Sequence, residues 1–420
     1  MTEITIKPNI YLNIQPTQQF STIRIEFNFS TEMQAENTAD RTLAAKMLEN
    51  ASTVYQSQTQ IARALSQLYG ADFGIDVLKV GRLHVVKAHM AVIDPHFIDD
   101  KRPILEQALA FMKTMLYQPM GNAKQGFDAT IFNRQKELLL DEVAGLEDDR
   151  PYIANRHALQ AYFDETAQGL PAYGTSNAIE EADELSAWRA WEDMIQTNRV
   201  DIIVSGDVEP ADIQPALEDL VTPQVPAPVQ PFYHQLVHAT VNHLVEQQPV
   251  NQSQLVIIYQ LVIPEERRFA AYVFDQIFGG TPVSRLFLDV RETKGLAYGI
   301  STDYNRFTDV LLVTAGIADT QIKQTQKAIA ANLQKLQVEP ISDTELHTIK
   351  ELMKTEYMVS LDNQSQVTDR AFIATMTKLS QAEWFAALDA VTVADVQSVA
   401  KAMIEQVDFV LEGAGDDADE

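Results

Sequence analysis

The chain has 420 residues, no cysteine, and 32 Lys+Arg against 59 Asp+Glu, a net charge of −27. A disulfide framework, a cysteine-ligated zinc or iron–sulfur site and a thiol nucleophile are excluded. Generic nucleic-acid binding needs a positive surface and is the wrong function class for such a chain. The 46% apolar content is that of a globular protein.

The opening MTEITIKPNI has no basic start leading into an apolar core. No apolar run approaches the ~18 residues of a membrane span, so a soluble cytoplasmic protein with no membrane partner is expected. Ile23, Ile25, Phe27 and Phe29 alternate with Arg24, Glu26 and Asn28, which predicts a half-buried strand. Val85 to Val92 predicts another, with His84 and His89 at odd spacing and so on opposite faces. Between Arg102 and Tyr117, Ile104, Leu105, Ala108, Leu109, Met112, Met115 and Leu116 form one stripe at helical spacing. A long helix follows over Phe132 to Val143, and then a helical stretch, WEDMIQTNR, leads into the strand Val200 to Ser205.

Six of the 17 prolines fall between Gly206 and Pro231. VTPQVPAPVQP cannot be helical, because each ring removes an amide donor and restricts its predecessor. It predicts an extended linker, 221–231, between domains 1–220 and 232–420. His234, His238 and His243 cluster after it, either as a metal site or as an exposed segment. Leu255 to Ile263 and Val310 to Val313 predict further strands, and KAMIEQ predicts a helical end before a last strand. The acidic end 415–420 reads as frayed.

The halves repeat one another. Val200–Gly206 and Val407–Gly413 are both apolar strands closed by glycine, and Lys136-Glu137-Leu138-Leu139 matches Lys350-Glu351-Leu352-Met353. Glu142 and Glu356 lie equally far downstream. The expected fold is α+β: two homologous domains from an internal duplication, each a mainly antiparallel sheet with helices packed on one face. Val204 should then lie on Leu411 and Glu142 on Glu356.

The most informative stretch is Phe278-Gly279-Gly280-Thr281-Pro282-Val283-Ser284-Arg285-Leu286-Phe287, continuing through Arg291-Glu292 to Gly295-Leu296-Ala297-Tyr298. It resembles the C-terminal signature of the pitrilysin, insulinase and mitochondrial processing peptidase family, the inverzincins. Leu68-Tyr69-Gly70-Ala71, the 171–174 Pro-x-Tyr-Gly and Gly206-Asp207-Val208 agree more loosely. The resemblance implies a first helix carrying His-x-x-Glu-His, two zinc ligands flanking a general base, with a third ligand from the long helix. Here Leu43 and Met47 stand in the ligand positions and Lys46 in that of the base. No histidine lies between 1 and 83. Glu142 falls roughly at the third ligand, or is a solvated helix carboxylate.

In the family, residues matching Arg291 and Tyr298 face the zinc from the second domain and bind substrate. The Gly279-Gly280 turn belongs to the same signature. The resemblance therefore implies a non-catalytic subunit, of the kind associated with elongation factor P aminopentanol modification. It would pair with a zinc-bearing homologue to process a peptide or unfolded protein. Alone it would hold no metal or other cofactor and cleave nothing, zinc being expected only on the partner chain. A purely structural or peptide-binding scaffold is the alternative. A metalloenzyme built on the 234–243 histidines is a third reading.

Overall fold

A computed structural model describes residues 3–99, 101–223, 229–248 and 252–413. It divides into two compact units. The first comprises Met1–Val143, Leu170–Pro231 and Met358–Ser380; the second comprises Ala144–Gly169, Phe232–Tyr357 and Gln381–Glu420. Each sequence half therefore forms most of one unit and one helical segment of the other.

The first sheet contains β1 (Glu3–Lys7), β2 (Ile10–Pro16), β3 (Thr22–Glu32), β4 (Asp72–Val80), β5 (Leu83–Ile93) and β6 (Arg199–Gly206), in the order β1-β2-β6-β3-β5-β4. The second contains β7 (Asn242–Gln248), β8 (Ser253–Leu261), β9 (Gly299–Asn305), β10 (Val310–Ile317) and β11 (Met403–Gly413), in the order β9-β10-β8-β11-β7. Read from the other end, the second sheet repeats β2-β6-β3-β5-β4 in chain order. The directions repeat too: β2–β6 and β7–β11 are parallel and all other neighbours antiparallel. Val204 and Leu411 each stand two residues before the closing glycine of the matching strand, between matching neighbours.

The main helices, leaving aside two short ones at Thr166–Gly169 and Ser176–Glu181, are α1 (Thr38–Asn50), α2 (Gln58–Gln67), α3 (Ile104–Tyr117), α4 (Ala129–Leu146), α5 (Arg150–Tyr162), α6 (Glu184–Thr197), α7 (Pro210–Leu217) and α8 (Arg268–Asp275). They continue with α9 (Ile322–Val338), α10 (Asp343–Ser360), α11 (Gln364–Thr377), α12 (Gln381–Ala390) and α13 (Val393–Ala402). The long helices α4 and α10 are both 18 residues and bury the same stripe: Phe132, Gln135, Leu139 and Val143 in one, Leu346, Ile349, Met353 and Tyr357 in the other. Glu142 and Glu356 hold the same place on them. The repeated lysine also has one job. Lys136 Nζ donates to the carbonyls of Glu180 and Ala182, and Lys350 Nζ to those of Asp389 and Val391. Each ammonium closes the C-terminal end of a helix, the short Ser176–Glu181 in one case and α12 in the other, whose last carbonyls have no partner within it.

In the first unit Ile23, Ile25, Phe27 and Phe29 form a core with α1, α3 and α6. The polar side of β3 departs from the half-buried expectation. Glu26 is fully buried, because α11 covers that face. Leu83, Val85 and Ile203 pack there against Ala371 and Phe372. Glu26 accepts from Arg24 and from Thr368, both at 2.8 Å, and Lys87 pairs with Asp369 at 3.0 Å. In the second unit α5 does the same: Ile153, Ala154, Ala158 and Tyr162 pack on Val256, Ile258, Val407, Phe409 and Leu411. All nine residues of β8 are buried, as its continuous apolar run Leu255–Tyr259 requires of a strand covered on both faces.

One local reading is corrected. Met403 to Gln406 are strand, not helix, since β11 pairs with β8 from Leu261↔Met403 onward. Residues 210–217 form α7, with Pro210 at a first-turn position where its missing N–H is harmless. Linker residues 224–228 and the acidic end 414–420 lie outside the described residues. Among the described residues no helix is long and apolar enough to cross a membrane.

Candidate functional site

Helix α1 turns one apolar side inward. Leu43 and Met47 are 0% and 1% exposed in the core of the first unit. Lys46 points the other way, its Nζ 2.9 Å and 3.1 Å from the two carboxylate oxygens of Glu142. Glu49 lies near this pair. Burial pushes its carboxyl up, and the Lys46 charge acts against that. The positions that the resemblance assigns to two ligands are thus core residues, and the base position is an ammonium already paired with the third. An aliphatic chain and a thioether cannot replace imidazole on Zn²⁺. This set does not fit a zinc ion.

The inward side of α1 also carries a residue that the sequence reading passed over. Arg41 is 2% exposed. Its Nε donates to His84 Nδ1 at 3.1 Å and its Nη2 to Asn198 Oδ1 at 2.9 Å. His84 Nε2 lies 3.0 Å from the carbonyl of Ala172, so the ring donates there and accepts from Arg41. Burial lowers the guanidinium to about 10, with Asp193 opposing. Burial first and the Arg41 charge second push His84 down to about 3. The network ties α1 to β5 and to the 171–174 turn, where Gly174 takes φ +86° beside Ala39. The sequence signal was an arginine in line with Ala44, Ala45 and Leu48 at helical spacing. His89, on the other face, stands 3.6 Å from Asp72 and 3.5 Å from Asp76.

The three histidines after the linker do not converge. His234 faces Asp309 at 3.4 Å, His238 faces Asp164 at 3.3 Å and His243 faces Asp408 at 3.4 Å. His234 and His238 lie on irregular chain, not on a strand.

In the second unit α8 runs into a π-helical turn, Gln276–Gly280. Both glycines answer to close approach. A Cβ on Gly279 would sit 2.5 Å from Thr302 Cγ2, and one on Gly280 would sit 2.7 Å from Gln276 Nε2. Beneath the turn Asp275 is 5% exposed, and burial raises its carboxyl to about 6. A second π-helical segment, Phe287–Thr293, carries Arg291. Gly295, at φ +60°, then turns the chain toward β9. Leu296 and Ala297 are buried and fix the turn, and the Tyr298 amide donates to Gly316 O at 2.9 Å.

The two arginines of this stretch differ in state. Arg285 is held by both oxygens of Glu345, at 2.9 Å and 2.6 Å. Arg291 lies over the Phe287 ring, 4.6 Å from its centroid, and among the described residues its ion-pair partner is Glu292 at 3.6 Å. The Tyr298 side chain is 70% exposed, and its hydroxyl has no hydrogen-bond partner among the described residues.

The family described as Peptidase M16 inactive domain matches residues 186–353, which include this whole stretch. A Bacillus subtilis (strain 168) protein named "Probable inactive metalloprotease YmfF" is 21% identical over 408 residues, 96% of this chain and 95% of its own length. The chain belongs to the M16 peptidase family. A crystal structure of a conserved protein from Enterococcus faecalis V583 is similar to this M16 chain over 99% of both, with 30% identity and a TM-score of 0.92. The crystal structure of an M16 inactive domain from Pseudomonas fluorescens shares the fold over 98% of both chains, with 15% identity and a TM-score of 0.81. The residues at the α1 positions that the resemblance assigns to zinc, Leu43 and Met47, are in keeping with the inactive character in these names.

Proposed function

We propose that the chain is the non-catalytic half of a two-chain cytoplasmic peptidase. It pairs with a zinc-bearing homologue and supplies Arg291 and Tyr298 to bind a peptide or unfolded protein substrate. The state of those two side chains carries this reading. Packing accounts for Gly279, Gly280, Leu296 and Ala297. It does not account for an exposed phenol without a hydrogen-bond partner among the described residues, nor for a guanidinium left unclaimed by a two-pronged carboxylate among them while Arg285 is claimed. A guanidinium in that state can grip a backbone carbonyl through paired N–H donors. A phenol O–H can donate to the oxyanion that forms as the scissile carbon becomes tetrahedral. Metal and general base belong to the partner, since α1 offers neither.

Tyr298→Phe, assayed with the zinc-bearing partner, is expected to lower turnover by roughly 10²–10³ without blocking assembly. Arg291→Ala should weaken substrate binding as well. Turnover and affinity both unchanged in the double variant, with the complex intact, would leave the chain as a scaffold.

A further inference from the structure

The corner of the first unit where β5 and β6 end gathers three groups with metal-ligand chemistry that the reading above does not use. Asp94 follows β5, His96 lies two residues on in the 3₁₀ turn Pro95–Phe97, and Asp207 follows Gly206. One ligand atom from each lies within 4.8 Å of the other two. Asp94 is 1% exposed. Its Oδ1 accepts from the His96 backbone N–H at 2.9 Å and lies 2.8 Å from His96 Nδ1. Asp207 Oδ2 stands 3.9 Å from the same nitrogen and accepts from Gln18 Nε2 at 3.1 Å. All three residues line a cavity of about 700 Å³, walled further by Ile104, Glu106 and Asp212.

The duplication provides an internal control. At the matching corner of the second unit, where β10 and β11 end, Ser253 Oγ donates to Asp319 and accepts from the Gly413 amide. One carboxylate and one hydroxyl suffice to tie the strand ends there. The fold therefore has no need of a histidine and a second carboxylate at the first corner.

We propose that Asp94, His96 and Asp207 bind one divalent cation of the Mn²⁺ or Zn²⁺ type. The two carboxylates suit Mn²⁺ and the imidazole suits Zn²⁺, so the mixed set can hold either ion. Three protein ligands leave coordination positions open toward the cavity, which has room for a small ligand to reach them. Gln18 orients Asp207 from outside, as second-layer donors do at metal sites. The site is separate from the α1–Glu142 pair and independent of any peptidase partner.

The test titrates Mn²⁺ alone into the full chain at about pH 7.5 and follows the free-ion electron paramagnetic resonance signal. One equivalent should be taken up and displaced by Zn²⁺. His96→Gln and Asp207→Asn alter side chains that are 72% and 40% exposed, so the fold persists, and each should weaken binding at least tenfold. Lys46→Met and His243→Gln should change nothing. In the unaltered chain, substoichiometric Mn²⁺ should broaden the His96 ring protons before those of the other histidines. No saturable uptake up to about 1 mM, uptake unaffected by both substitutions, or broadening centred on another histidine would each overturn the proposal.

Discussion

At position 46, which the resemblance matches to the general base, stands an ammonium already bonded to Glu142. Replacing it does not rebuild an active site. Lys46→Glu is expected to gain no peptide hydrolysis, with or without added zinc, because Leu43 and Met47 remain core residues. Measurable hydrolysis by the purified variant would contradict this. That no histidine precedes position 84 was legible in the sequence, since it needs only residue types. The pairing of Lys46 with Glu142 was not legible, because it joins residues 96 apart on different helices. The Arg41–His84 pair was hidden for a related reason: burial and a distant asparagine decide its chemistry, and neither leaves a local pattern.

His84 gives a pH prediction at the same scale. Its folded pKa, about 3, lies below the ordinary histidine value of 6.5. Between those values the unfolded chain binds the proton and the folded chain does not, so this contribution is complete above pH 6.5 and falls as pH drops. The slope is about 1.4 kcal/mol per pH unit. Asp275, raised from 3.8 to about 6, acts oppositely: its contribution is full below pH 3.8 and fades as pH rises to 6. Urea midpoints of the native chain and of His84→Gln, compared at about pH 5 and pH 7, separate the two. The variant should lose less stability on acidification.

Among the elements, the clearest repeated device is the lysine of the long helices. Lys136→Met and Lys350→Met each remove a charged donor from two carbonyls at a helix end. Each should lower stability by about 1 kcal/mol, since the sites are partly solvated; the urea midpoint of either variant checks it. The sequence showed that these lysines correspond, but not why. Their spacing to Glu180 and Asp389 crosses intervening helices, and only the fold brings those carbonyls within reach. The strands were legible where one face alternates, as in β3. Period-two alternation identified the apolar face of β3 but could not reveal that its polar face is covered as well.

Over the whole molecule, the arrangement of α5 and α11 sets the limits of the halves. A fragment of residues 1–220 keeps the first sheet but lacks α11, baring Leu83, Val85 and Ile203 and leaving Glu26 without Thr368. That fragment is expected to bind a hydrophobic dye and give broad amide resonances, and co-expression with 232–420 should restore a native signal. A 1–220 fragment with sharp resonances and no dye binding would show that α11 is dispensable. The duplication was readable from the sequence because each copy preserves its own order of elements. The exchange of helices was not, since an amphipathic stripe does not say which of two similar sheets it will cover.

The same exchange has a consequence during synthesis. Once β6 has been made, the ribosome must add about 170 more residues before α11 is finished. At ~5–20 residues per second, the strip it covers stays bare for roughly ten to thirty seconds. The nascent first sheet therefore waits, fully translated yet unfinished, with an apolar surface open to trigger factors and to neighbouring chains. A ribosome stalled within the second half should hold a chaperone-bound intermediate, and one stalled well beyond α11 should release it.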